Sequence, residues 1–371
     1  MNMRYQISRQ HGLTIIELMI SMTIGLLIMA GLVTMFVNSS TAQRELARSS
    51  SRLENGRFAM DAITQDLHHA GYYGQYAANS VPTTAQDPCA ISTIAALKSA
   101  AGFPIQAYPA ASTTTRPDLS ATTCATIQSN ILSTANLNPG SDVFVIRRAH
   151  TTTLAVGSVA ATNELYIQAN PNTIDYQFGS GGTVTATSKI DGSTAATIQN
   201  ALRTGAAEIR KFHVHIYFVA PCSRPYGGGN VCTGATDDDG SPIPTLKRLE
   251  LGVTSGTTAY TLVPIAEGIE YLQVSYGLDT TPSTVNAATG SKGDGVPDST
   301  DHDPNIAEHA AIVNAQVSVL ARNNEKTTGY SDTKTYQVGT LSVGPLNDSY
   351  KRHVFDSLIR MTNLSSRREI P

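Results

Sequence analysis

The chain has no tryptophan, 6% aromatic residues and 15% charged residues among 371. Without indole and with few rings, its core is expected to be mostly aliphatic. Lysine plus arginine number 26 against 29 aspartate plus glutamate, a formal net charge of −3. A general nucleic-acid coat needs a basic excess that this balance lacks, so direct nucleic-acid binding is not expected. The charged fraction falls below the roughly 25% of an average domain. Small and polar residues fill the gap, a composition of exported proteins rather than of highly charged disordered tails. Catalytic signatures are missing too. There is no GxSxG, no GxxxxGK[ST], no HExxH, and no GxGxxG after a strand, so no enzymatic role is expected. The four cysteines contain no CxxC spacing, which argues against a thiolate metal centre.

What is present gathers in the first seventy residues. Residues 1–12 are short and polar, with Arg4, Arg9 and His11. From Leu13 to Val37 the chain is apolar, has no proline and carries a single charge, Glu17. Twenty-five residues at ~1.5 Å each give about 37 Å of helix, enough to cross a bilayer core of roughly 30 Å. The run is longer than the apolar part of a secretory signal peptide, and no A-x-A exit follows Val37. A plain signal anchor fits the length but leaves Glu17 unexplained, because a carboxylate in lipid calls for a partner.

The junction His11-Gly12-Leu13-Thr14-Ile15-Ile16-Glu17-Leu18 resembles the class III signal of type IV pilins. The segment Gly56-Arg57-Phe58-Ala59, with Asp66-Leu67 and Ala70-Gly71-Tyr72-Tyr73-Gly74, resembles the signature of large minor pilins of the PilW family. The likeness is dense over residues 9–74, moderate at 142–149 and 207–279, and weak at 75–140 and 170–205. It implies cleavage by prepilin peptidase between Gly12 and Leu13 and N-methylation of Leu13. The mature chain then has 359 residues, 371 less the 12 of the leader. Position one of the family is more often phenylalanine, so Leu13 is a mild departure. Glu17 is implied to neutralise the new amine of a neighbouring subunit, since an unpaired charge in an apolar bundle costs several kcal/mol. The other reading has Glu17 bonding its own chain. The partners implied are other minor pilins, the major pilin and a PilY-type tip adhesin. The location implied is the inner membrane with a periplasmic globular domain, then the pilus tip. The function implied is priming of pilus assembly within a tip complex, supporting adhesion, twitching motility or DNA uptake. A J-type pseudopilin of a type II secretion system and a membrane-anchored adhesin or calcium-binding module are the rivals.

The expected fold class is α+β and pilin-like, a long N-terminal helix packed on an antiparallel sheet. The expected divisions are a leader at 1–12, an assembly helix at 13–37, an amphipathic continuation at 38–74 and a β-rich domain at 75–371. Within the last, 75–140 reads as a loop-rich insertion. Leu46, Leu53, Met60, Ile63, Leu67 and Ala70 form the expected packing face of the helix. Arg44, Arg48 and Arg52 form a stripe that either meets headgroups and neighbouring pilins or is solvated with Glu45 and Glu54 as local partners. Strands are expected at 142–149, 164–169, 210–220, 246–253, 258–264, 267–279, 313–323 and 350–364. In the strand at 210–220, Phe212, Val214, Ile216 and Phe218 share one face.

Several residues are candidates for sites. Cys89, Cys124, Cys222 and Cys232 suggest two disulfides in an exported domain. Three connectivities are open, and local pairing is favoured because each pair flanks a loop. Residues 291–303 resemble the Asp-rich calcium loops of thrombospondin type 3 repeats, with Asp294, Asp298, Asp301 and Asp303 as oxygen donors. Gly290 and Lys292 stand where the first two acids of that loop belong, so a solvated acidic turn is the stronger expectation, and no cofactor is assigned. Asp237-Asp238-Asp239-Gly240 is a weaker case of the same kind. His213 and His215 share a strand face at a chelating spacing, but the sequence identifies no third ligand. His68 and His69 stand where a helix C-terminus favours them. Lys351-Arg352 reads as a local basic patch.

Overall fold

A computed structural model describes residues 12, 14–76, 83–91, 93–127, 130–154, 164–178, 207–254, 257–281 and 293–369. The chain separates into two compact units, Met1–Ser50 and Ser51–Pro371. Helix α1, Ile15–His68, contributes to both. In the first unit its apolar side chains are exposed, Leu27 by 73% and Phe36 by 74%. Leu46, expected on the packing face, is 71% exposed as well. The helix stops where Gly71 takes φ +71°, a left-handed conformation that glycine adopts without Cβ strain.

The second unit is α+β. A seven-stranded antiparallel sheet runs β1 (Ile105–Tyr108), β2 (Val143–Leu154), β5 (Ile209–Ala220), β3 (Leu165–Asn170), β4 (Thr173–Phe178). β6 (Thr245–Thr254) also pairs with β5, and β7 (Thr257–Glu267) pairs with β6. The second sheet runs β13 (Arg352–Arg360), β10 (Ile312–Arg322), β8 (Ile269–Leu278), β9 (Ser299–Asp301). A hairpin of β11 (Tyr336–Val338) and β12 (Leu341–Val343) completes the β structure. The expected strands from 142 to 323 are all present. The last one is shorter than expected: β13 ends at Arg360, and Thr362–Glu369 is a helix. That helix is tied down where Arg367 donates to the Gly71 carbonyl at 2.8 Å.

β5 alternates, and its two faces serve two cores. Phe212, Val214, Ile216 and Phe218 face the first. The far side of that core comes from Cys89, Ile91, Leu97, Leu119, Leu132 and Leu137. The described residues between 83 and 137 carry only short elements, yet they close this core, and β1 joins the sheet through Ile105–Tyr108. Tyr217 and Val219 face the second core. There Ala59, Met60, Ile63 and Leu67 of α1 meet Leu272, Val274 and Tyr276 of the second sheet. The cores are mostly aliphatic, as expected, with Phe103, Phe144, Tyr176 and Tyr276 among the fully buried side chains.

One polar and one apolar contact fix how these layers meet. Asp142 accepts from Ala110 N–H at 2.9 Å, Gln273 Nε2 at 2.8 Å and Val274 N–H at 2.7 Å, bridging the sheets. Gly56 brings the backbone of α1 so close to Phe355 that a Cβ would sit 2.1 Å from the ring.

Candidate functional site

The N-terminal segment begins at Gly12, which is exposed and outside the helix. Leu13 lies outside the described residues. Thr14 and Glu17 form a reciprocal capping box. Glu17 N–H donates to Thr14 Oγ1 at 3.3 Å, while Glu17 Oε2 accepts from Thr14 N–H at 3.1 Å and Thr14 Oγ1 at 3.0 Å. T-x-x-E before an apolar run is a legible start signal that the reading of Glu17 as a partner's counter-charge passes over. Further along, Ser21, Thr23, Thr34 and Thr41 each donate to a carbonyl three or four residues back. These hydroxyls are thus satisfied inside the helix, as an apolar surrounding requires.

The arginine stripe finds partners within the chain. Arg44 donates to Ser40 Oγ at 3.3 Å, Arg48 lies 3.9 Å from Glu45, and Arg52 donates to Asn323 Oδ1 at 3.0 Å.

The second feature is a buried charge cluster on the face of β5 that carries His213, His215 and Tyr217. Asp66, on the last turn of α1, is 2% exposed. Its Oδ1 accepts from Arg148 Nε at 2.9 Å and Nη2 at 2.8 Å. Its Oδ2 meets His215 Nδ1 and the Tyr217 hydroxyl, both at 2.5 Å, and Arg248 Nη1 at 3.5 Å. Burial alone raises the Asp66 pKa, but His215, Arg148 and Tyr217 outweigh it and hold the carboxyl well below the usual range. Arg248 is held in turn by the Glu250 carboxylate, its Nε at 2.9 Å from Oε1. Sequence reasoning placed His213 and His215 together on the strand but had no means to find Asp66, 149 residues from His215.

The other candidates resolve into structural roles. Cys89–Cys124 and Cys222–Cys232 are disulfides. Asp298 Oδ2 takes four bonds, from the N–H and hydroxyl of both Thr280 and Thr281. Asp294 accepts from Val296 N–H and Asp301 from Asp303 N–H, each capping its own turn. The structure does not bring these acids together into a metal-holding group among the described residues. Asp237 caps the 222–232 loop through Tyr226, Thr233 and Gly234, and Asp238 accepts from Ser223, Arg224 and Ile243. His68 Nδ1 meets the Arg360 carbonyl, and His69 Nδ1 the Gln65 carbonyl. Lys351-Arg352 is no basic patch. Arg352 is 6% exposed and is bound by Glu270, Asp332 and Asp348.

Residues 7–33 match the prokaryotic N-terminal methylation motif. Residues 232–363, from the second disulfide through β13, match the model of type IV pilus-assembly protein W, PilW. Over those C-terminal residues the chain is similar to the PilW family. This match falls on the C-terminal strands, whereas the sequence likeness had its densest part at 9–74. Among solved structures, a type IV-like pilin from Thermus thermophilus shares 14% identity over 41% of this chain and 79% of its own, with a TM-score of 0.17. No curated protein matches. The methylation motif and the exposed apolar helix together point to membrane anchoring of the chain.

Proposed function

We propose that the chain is a minor pilin that primes type IV pilus assembly and sits in a tip complex with other minor pilins. The observation that carries this reading is the Gly12–Glu17 junction running directly into a helix whose apolar side chains are exposed from Ile15 to Val37. Such a surface is stable in lipid or against like helices and unstable in water. In this reading prepilin peptidase cuts after Gly12 and methylates Leu13. The helix leaves the inner membrane for the fibre when its apolar surface packs on those of neighbouring pilins, the major pilin among them.

Glu17 supplies the charge logic. Its Oε2 is occupied by Thr14 in the single chain. A neighbour's α-amine adds an ion pair in an apolar setting, where a charge-assisted bond exceeds a neutral one. The capping box holds the carboxylate at the head of the helix until that amine arrives. The globular unit supplies partner surfaces, a PilY-type adhesin among the candidates, and performs no catalysis. Adhesion, twitching motility and DNA uptake depend on it through the fibre.

Mass spectrometry of sheared surface pili tests the reading. The expected result is an N-terminal peptide beginning at methylated Leu13. A chain processed at Leu13 in membranes but missing from sheared pili, at a sensitivity that detects other tip subunits, favours a J-type pseudopilin of a secretion system. A chain that retains Met1–Gly12 overturns the pilin reading in favour of a membrane-anchored module.

A further inference from the structure

We propose that the β5–β6 connection, closed on itself by Cys222–Cys232, binds a neutral saccharide. The loop is hung from the first core at both ends, since Cys222 is fully buried there and Cys232 is 8% exposed. Two carboxylates fix its interior. Asp237 accepts from the N–H groups of Tyr226 and Thr233 at 2.7 Å and of Gly234 at 2.8 Å. Asp238 accepts from those of Arg224 at 2.7 Å and of Ser223 and Ile243 at 2.9 Å. A loop held in this way spares a ligand the cost of ordering it. Against it lies a solvent-open cavity of about 560 Å³, lined by Arg224, Tyr226, Gly227–Gly229 and Asp239 among others, within the roughly 300–1,000 Å³ of small-molecule sites.

Each lining group has an open side. The Tyr226 ring is 68% exposed. The side chains of Arg224 and Asp239 meet at 3.1 Å and are otherwise open, 76% and 91% exposed. That contact uses one guanidinium N–H and one carboxylate oxygen, so further donors and an acceptor stand side by side. Gly227, Gly228 and Gly229 take φ +75°, +83° and +104°. Crowding does not demand glycine here, because an added Cβ would meet nothing within 4 Å at any of the three. The left-handed run instead leaves a wall of bare peptide groups that a ligand can approach closely.

This set of groups selects among ligands. Arg224 and Asp239 neutralise one another, and the charges of Asp238 and Asp237 are countered by buried Lys247. Arg224 and Lys247 thus stand against Asp237, Asp238 and Asp239, a balance of −1. An anion is repelled, and a cation finds no carboxylate without a partner. A lipid or an apolar peptide finds a single exposed ring. A neutral sugar fits the ring, the charge pair and the glycine wall together. Its C–H face covers the apolar body of Tyr226. Neighbouring hydroxyls, each both donor and acceptor, bridge Arg224 and Asp239. The remaining hydroxyls reach the peptide groups of Gly227–Gly229 directly or through water.

Saturation-transfer difference NMR on the full chain in a sugar-free detergent tests the site. The probes are glucose, galactose, mannose, N-acetylglucosamine, lactose and cellobiose, with N-acetylneuraminate as the anionic sugar. At least one neutral sugar is expected to bind with a millimolar Kd, the strength that roughly a dozen non-hydrogen atoms give on an open site. Its transfer should be strongest at the C–H protons of one ring face. Tyr226→Ala should abolish the signal, and Tyr226→Phe should keep it. Arg224→Ala and Asp239→Asn should each weaken binding at least about threefold. All four variants should melt with the parent chain, because these side chains are exposed and the bond from Tyr226 to Asp237 is made by the main chain. No transfer to any neutral probe at about 20 mM, transfer unchanged in Tyr226→Ala, or a preference for N-acetylneuraminate overturns the proposal. Binding is read on the isolated chain, so its failure leaves the assembly reading standing.

Discussion

Replacing Asp66 by asparagine removes one charge from the centre of five donor contacts. Arg148, His215, Tyr217 and Arg248 all point at that carboxylate, which is 2% exposed. Asparagine keeps the shape but turns an amide NH₂ toward donors and leaves Arg148 without its counter-ion. Breaking one side of a buried ion pair costs about 3–5 kcal/mol, a large share of the roughly 5–15 kcal/mol that keeps a domain folded. At about 2–4 °C per kcal/mol for a domain of this size, the melting temperature should drop by about 10 °C. Circular dichroism of the full chain in detergent reads the transition, since there is no tryptophan to follow by fluorescence. The pH dependence gives a second readout. The folded pKa of Asp66 is depressed, so its contribution is present above the unfolded value near 3.9 and is lost as pH falls through the lower folded value. The parent chain should lose stability below about pH 4, and Asp66→Asn should show a flatter acid limb. An Asp66→Asn chain that melts within about 1 kcal/mol of the parent at neutral pH would refute the view that this cluster holds α1 to the sheet.

Other perturbations follow from the same contacts. Gly56→Ala gains up to about 1 kcal/mol of helix propensity but must displace the Phe355 ring, a net loss of about 1 kcal/mol; Phe355→Ala should relieve it, and a double-mutant cycle by thermal melts measures the coupling. Arg352→Ala should cost about 3–5 kcal/mol by leaving Glu270, Asp332 and Asp348 unneutralised, whereas Lys351→Ala should stay within about 0.5 kcal/mol in the same melts. Burial raises the Asp142 pKa to about 7, so the folded chain holds a proton that the unfolded chain has released, and stability should fall as pH rises from about 4 to 7; Asp142→Asn should remove that slope from a urea series. Cys89→Ser with Cys124→Ser opens a 35-residue separation and should cost about 3–4 kcal/mol, more than the corresponding pair of changes at Cys222 and Cys232 with separation 10.

Local periodicity made much of this fold readable. Phe212, Val214, Ile216 and Phe218 alternate without interruption, and Leu13–Val37 is apolar over a length that spans a bilayer as a helix. The N-terminal junction is a linear motif, so the candidate assembly segment was legible residue by residue. The Asp66 cluster was not, because its members come from α1, β2, β5 and β6, and no spacing within one segment encodes their meeting. Arg352 shows the same limit in reverse. Beside Lys351 it reads as surface charge, and only the return of Asp332, Asp348 and Glu270 in space turns it inward. The acids at 294–303 carry the composition of a calcium loop, but backbone and threonine donors claim Asp298 and its neighbours individually. Leu46 belongs to the helical pattern of Met60 and Ile63, yet lies exposed, because periodicity names a face without saying how far along the helix that face is covered.

One strand, β5, walls off both cores with its alternate side chains. Pulling β5 away opens Phe212 and Phe218 on one side and Tyr217 and Val219 on the other, so the release of this strand is coupled to the loss of both cores at once.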